Sequence, residues 1–250
     1  MRWRLPLTPT RPLHAVPPRW RGLLLAAFLA QLGWHALEPA PEARARPVPE
    51  ALPLPVLRLA ALGEPATLAT AGTLWLQYFD EQPGESIPFR ELDYHRVRDW
   101  LARWSALDPD SGYPLLLAVR IYAQVSDPAR QRIMLEFVLD RFLERPGARW
   151  RWLAEAAILA RHRLHDDRLA LRYARLLAEH TRPGEVPHWA RDLQILLLED
   201  IGELEAAKVL IGGLLANGEI RDPNEIRYLE QRLEALKERT GTENKPEERD

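Results

Sequence analysis

Four prolines, Pro109, Pro146, Pro183 and Pro223, fall 37, 37 and 40 residues apart. Proline does not continue a helix and does not donate to a sheet ladder, so prolines at near-constant spacing cut a chain into units of similar length. Each interval is long enough for two helices and a turn. Between Pro109 and Pro146 the sequence predicts helices over Tyr113–Val125 and Pro128–Glu144, with Asp127 as cap and Pro128 in the first helical position. The next interval predicts Arg149–Leu164 and Asp167–His180, broken at His165-Asp166, and the third predicts Val186–Ile201 and Glu203–Ala216 around Gly202. Pro65–Phe79 and Asp93–Ala106 form an earlier pair. Pro223–Glu238 forms a closing helix, with Asp222 as cap and Glu225 three residues on in a capping-box arrangement.

Apolar periodicity agrees with this division. Val97, Trp100, Leu101, Trp104 and Leu107 recur at helical spacing, as do Ile133, Phe137 and Val138, then Leu169, Tyr173 and Leu177, then Ile226, Leu229, Leu233 and Leu236. No run alternates as a strand would, so the fold class expected is all-α. A single amphipathic hairpin cannot bury its own apolar stripe, so such units must pack on one another. The closing helix is mostly charged away from its stripe, which suits a terminal cap.

The layout resembles the tetratricopeptide-repeat family. Trp150, Leu153 and Ala154 stand at the spacing of that family's W-x2-L-G start, with Ala in place of Gly and Ala157 in the usual tyrosine place. Gly202, Leu204 and Ala207 follow its turn and second-helix pattern, Ala170 sits correspondingly after the His165 turn, and the proline at each repeat end also fits. The period here is longer than the family's usual length of about 34 residues. The resemblance covers roughly residues 65–238. It implies a right-handed solenoid of stacked antiparallel helix pairs over residues 56–240, with the first helix of each pair lining a concave groove for a protein or peptide.

In that frame the candidate groove residues are Arg120, Arg151, Trp152, Glu155, Arg161, Arg191 and Gln194. Trp100, Trp104 and Trp150 lie on apolar stripes and are expected in the core. Trp152 points elsewhere and is expected to be the exposed ring. The long break from Asp80 to Arg90 supplies a candidate binding loop, with Gln82, Glu85, Ile87, Phe89 and Arg90 as its contact residues.

Ahead of the repeats, Gly22 to Leu37 is a 16-residue stretch without charge. That length lies between a signal-peptide core of roughly 7–15 residues and a transmembrane span of roughly 17–25. Trp20 and Trp34, placed to sit at two interfaces, favour an anchor, whereas Ala43-Arg44-Ala45 offers a small-x-small cleavage site. A buried helix of the folded body is a third reading. The expected organisation is a basic, disordered segment over 1–20, a transmembrane anchor or signal over 21–37, a Pro-rich linker over 38–55, the repeat body, and a disordered tail over 241–250. Arg2, Arg4, Arg11, Arg19 and Arg21 precede any acidic residue, which orients residues 1–20 towards the cytoplasm. Only three of the 34 basic residues are lysine, a bias that together with abundant Ala and Leu points to a GC-rich bacterial source. The expected location is therefore a single-pass bacterial inner-membrane protein with a periplasmic body.

A net charge of −2 gives no basic face for nucleic acid, and the absence of cysteine removes thiolate chemistry and disulfides. No GxSxG, Walker, GxGxxG or HExxH motif occurs. The expectation is a non-enzymatic scaffold without cofactor or metal. The alternative is a metal-binding protein or metal-dependent hydrolase centred on His162 and His165, with Asp166 and Asp167 beside them.

Overall fold

The computed structural model describes residues 17–37, 46–82, 85–218, 220 and 222–243. Residues 1–16 of the basic segment, 38–45 of the expected linker and 244–250 of the expected tail lie outside the described residues. The chain divides into two units, Met1–Arg44 and Ala45–Asp250.

In the first unit the helix α1 spans Pro18–Leu37 and buries none of its residues. Leu23, Leu24, Leu25, Phe28, Leu29 and Leu32 are all more than half or about half exposed and fall on every side of it. Among the described residues no helix is long and apolar enough to cross a membrane. The physical reason is length and two polar insertions. At 1.5 Å per residue, a 16-residue apolar core covers ~24 Å of a hydrocarbon layer ~30 Å thick, and Gln31 and His35 fall inside that core. The expected single-span anchor does not meet this requirement.

The second unit is all-helical apart from one two-residue ladder. Its helices are α2 (Leu54–Ala60), α3 (Pro65–Gln77), α4 (Tyr94–Leu107), α5 (Tyr113–Arg120), α6 (Pro128–Glu144), α7 (Pro146–His162), α8 (Asp167–His180), α9 (His188–Arg191), α10 (Leu193–Asp200), α11 (Leu204–Ala216) and α12 (Pro223–Glu243). Between α3 and α4 the strands β1 (Glu81–Gln82) and β2 (Glu85–Ser86) pair antiparallel.

Local chemistry sets these boundaries. Asp127 accepts from the Ala129 and Arg130 N–H groups at 3.0 and 3.1 Å and so caps α6, while Asp93 and Asp166 do the same for α4 and α8. α7 ends at a turn in which His165 takes a φ of 52°, a left-handed conformation that histidine tolerates better than branched residues do. The helix expected over Tyr113–Val125 stops at Arg120 and continues as a 3-10 turn at Tyr122–Gln124. Side chains take up the carbonyls freed by this change. The Tyr94 hydroxyl donates to the Tyr122 carbonyl at 2.9 Å, and Gln131 Nε2 donates to those of Ala123 and Val125. The helix expected over Val186–Ile201 is likewise divided, at Asp192.

From α3 onward consecutive helices pack on each other, and so do several next-but-one helices: α3 on α5, α4 on α6, α5 on α7 and α8 on α10. Closest approach comes where side chains are smallest. Ala154, Ala157 and Ala160 line one face of α7 and are fully buried, as are Ala170, Tyr173 and Ala174 of α8. The main core also takes in Tyr122, Phe137 and Phe142, and a second, smaller core gathers Ile195, Ala207, Ile211 and Leu229 from α10–α12. Polar ties join positions 33 to 39 residues apart. Gln77 Nε2 meets the Tyr113 hydroxyl, Arg145 meets Asp110, Arg132 meets Asp166, Arg161 meets Asp200, and Arg232 meets Glu199.

The Pro-rich stretch does not behave as a spacer along its whole length. Residues 46–53 form an extended strap on α4: Arg96 Nη1, Trp100 Nε1 and Arg103 Nε donate to the Val48, Pro49 and Leu52 carbonyls at 2.8, 3.0 and 3.1 Å. Val48 is fully buried, and α2 begins at Leu54. Proline lacks an N–H but keeps its carbonyl, so a proline-rich segment can still be held through its acceptors. At the other end α12 runs to Glu243, so the expected tail begins later than residue 241.

Candidate functional site

Two of the residues expected in a groove bind each other. Arg120 Nε and Nη2 reach the two Glu155 oxygens at 2.7 and 2.5 Å, a bidentate pair between α5 and α7. Arg161 bridges Asp167 and Asp200, tying α7 to the start of α8 and the end of α10. Arg151 is exposed, and Trp152 is half-buried beside Gly112, so Trp152 is not the freest ring. Trp189 at 48% and Trp75 at 38% are more exposed, and Trp150, half-buried, lies edge-on to Trp189. Arg191 and Gln194 sit apart from this set, on a pocket described below.

The candidate loop is largely a packing device. Gln82 is buried and exchanges two hydrogen bonds with the Arg46 backbone, its Oε1 accepting and its Nε2 donating, both at 2.8 Å. Phe89 lies edge-on to Tyr122 at 5.8 Å and Ile87 packs on the core, while Arg90 is exposed. The Glu85 side chain is outside the described residues.

The histidine cluster is dispersed by its own turn. Asp166 caps α8 and pairs with Arg132, whose guanidinium holds its carboxyl below the usual range, while Asp167 pairs with Arg161. His162 and His165 are exposed. Among the described residues no group of three or more His, Asp or Glu side chains is placed to hold a metal ion.

Two other places are better formed. The first is an apolar groove of about 530 Å3 where the strap, α2, α3 and α4 meet. Its walls are Leu52, Leu57, Leu68, Trp75, Trp100 and Trp104. The indoles form a ladder: Trp75 stands edge-on to Trp100 at 5.1 Å, and Trp100 stacks on Trp104 at 4.9 Å. Gly72 makes the ladder possible, because a β-carbon there would overlap the Trp104 ring.

The second lies among α8, α9, α10, α11 and α12. His188 Nδ1 meets Glu225 Oε2 at 2.6 Å and its Nε2 meets Asp222 Oδ2 at 3.2 Å; donating both at once requires the imidazolium. Glu225 was expected to close a capping box and turns to His188 instead. Asp192 is 4% exposed, its Oδ2 has no hydrogen-bond partner, and burial, reinforced by Glu225, pushes its carboxyl up to about 6. Asp192 and Glu225 border a cavity of about 50 Å3. Sequence reasoning missed His188, Asp192 and Glu225 as a group, although His188 and Asp192 at i, i+4 gave half of the signal. No known protein family, curated protein or solved structure matches the chain.

Proposed function

We propose that the protein is a scaffold of the tetratricopeptide-repeat-like kind, a solenoid of helix pairs, that holds a protein partner at the bacterial envelope. The observation that carries this reading is the apolar groove. Its walls are almost free of polar atoms, and beside it Leu52, Val56, Leu59, Leu74 and Trp75 are all more than a third exposed. Contiguous apolar surface of this kind marks an interaction site, and aromatic rings are the side chains that contribute most at such sites. The partner that suits it is an amphipathic helix laying an i, i+3, i+4, i+7 apolar face along the Trp75–Trp104 ladder. The solenoid reading draws support from next-but-one helix packing and from ties spanning 33 to 39 residues, close to the 37–40 residue proline spacing. The envelope assignment rests on the basic arginines before α1 and on its exposed leucines, which need an apolar surrounding. With a core too short to span, α1 serves as an export signal, carrying the body to the periplasmic side.

A photo-crosslinking residue at Leu74 tests the scaffold role in cells, with one at exposed Arg163 as control. The reading requires one discrete adduct from the Leu74 position, lost on Trp75→Glu and absent from the Arg163 position. Equal adducts from both positions sink it. Alkaline phosphatase fused after Glu238 tests location, and an inactive fusion would place the body in the cytoplasm.

A further inference from the structure

The pocket between α9 and α12 is unlike the rest of the polar surface. Elsewhere Asp166 has Arg132 and Glu199 has Arg232, and even the Asp167 oxygen that lacks a hydrogen bond has Arg161 Nη1 at 3.3 Å. Here Asp192 is almost wholly buried and one of its oxygens has no donor. Glu225 is buried beside it, and among the described residues its side chain pairs with His188. Both acids lie at helix starts, Asp192 just before α10 and Glu225 in the first turn of α12, where the helix field favours the ionised carboxylate. Arg191 is on the same wall but pairs with neither acid, and its Nε is itself without a partner. A buried carboxylate oxygen without a donor is costly, and the cost is relieved by whatever brings an N–H or O–H into the cavity.

We propose that this pocket takes a primary ammonium group carried on an aliphatic stem. The cavity of about 50 Å3 is small, which suits a compact ammonium head better than a broad planar guanidinium. The ammonium's three N–H donors equal in number the acceptor groups among the lining residues, the Asp192 and Glu225 carboxylates and the Gln194 side-chain carbonyl. The remaining wall, Ile195, Leu214 and Ile220, is aliphatic and lies along the stem. Arg191 sets a limit on affinity, because its charge opposes an incoming cation. This site is separate from the apolar groove and stands whether or not the groove binds a helix.

Saturation-transfer NMR on the folded chain at about pH 8 supplies the test, with n-butylammonium, the peptide Ac-Ala-Lys-Ala-amide and n-butanol as probes. The expected result is binding of the ammonium probes in about the millimolar range and no binding of n-butanol. Asp192→Asn should weaken it at least about tenfold and Arg191→Gln should strengthen it about threefold, in keeping with loss of an attractive and of a repulsive charge. Tighter binding of the lysine peptide assigns the pocket to a partner's side chain, and tighter binding of butylammonium assigns it to a free amine. Leu214→Phe, which narrows the aliphatic wall without altering charge, should abolish either signal in a protein with an unchanged circular dichroism spectrum. The proposal is overturned if n-butanol binds as well as the amines, which is the behaviour of a cavity that holds only water, or if Asp192→Asn and Arg191→Gln leave amine binding unchanged.

Discussion

The two ends of the helical body fail to complete themselves in opposite ways. At the amino-terminal end, α3 and α4 leave indole and leucine surface open, while Arg96, Trp100 and Arg103 of α4 each find a strap carbonyl. At the carboxy-terminal end, α12 closes over the apolar residues of α10 and α11 and buries Leu229 fully, but two acids are shut in with one donor fewer than they need. Exposed apolar surface and an unpaired buried oxygen both cost free energy, but they select different visitors. The occupants proposed for them are accordingly an apolar helix at one end and a small cation at the other.

The largest expected effect tests whether the ends are independent. Leu229→Ala should destabilise the small core by about 2–4 kcal/mol. Amide exchange should then lose protection over α10–α12 while α4–α8 keep theirs. Uniform loss would show that both ends unfold as one unit. Gly72→Ala comes next. Its methyl would press into Trp104, and overpacking of this kind costs about 1–3 kcal/mol. The change should also close the groove, so quenching of indole fluorescence by acrylamide should fall along with the melting temperature.

The carboxy-terminal acid gives a pH test whose sign follows from the raised value. Unfolded, Asp192 titrates near 3.8, and in the fold burial and Glu225 raise it to about 6 against the opposing charges of His188, Arg191 and Arg232. The unfolded chain therefore releases the proton first, so this residue removes stability as pH rises from about 4 to 6 and contributes no loss below that window. Asp192→Asn should be more stable than the parent by about 1–3 kcal/mol at about pH 8 and no different near pH 3.5, from a cost of about 1.4 kcal/mol per pKa unit. Urea unfolding at the two pH values measures it. The smallest effect is expected from Arg232→Met. It removes the 2.5 and 3.0 Å bonds to Glu199 that tie α12 to α10 and should cost no more than about 1 kcal/mol.

Local grammar in the sequence was enough for much of this fold. The bounds of Pro128–Glu144 and Asp167–His180 follow from an acidic cap, a proline or charge in the first turn, and a stop just before Pro146 and Pro183. The stripe Val97, Trp100, Leu101, Trp104 and Leu107 is buried as its spacing predicts. The candidate sites were less legible. Arg120 and Glu155 look like free charges when read singly, and only their separation of 35 residues, close to the proline spacing, marks them as a tie. His188, Asp192 and Glu225 come from three elements joined by a turn at Gly202 and another after Ala216, so no window of sequence contains the pocket. The composition of residues 46–53 signals extension correctly but says nothing of what the extended backbone rests on.

Arg96, Trp100 and Arg103 stand at i, i+4 and i+7 along α4 and address three main-chain oxygens of the strap. Such a contact reads the path of a chain and not its lettering. Apart from Val48, whose side chain is enclosed, Ala51, which packs half-buried on the core, and Leu52, which walls the groove, the residues between Arg46 and Pro53 are open to rewriting so long as they stay extended, and a loose peptide of quite different sequence could contend for the same seat.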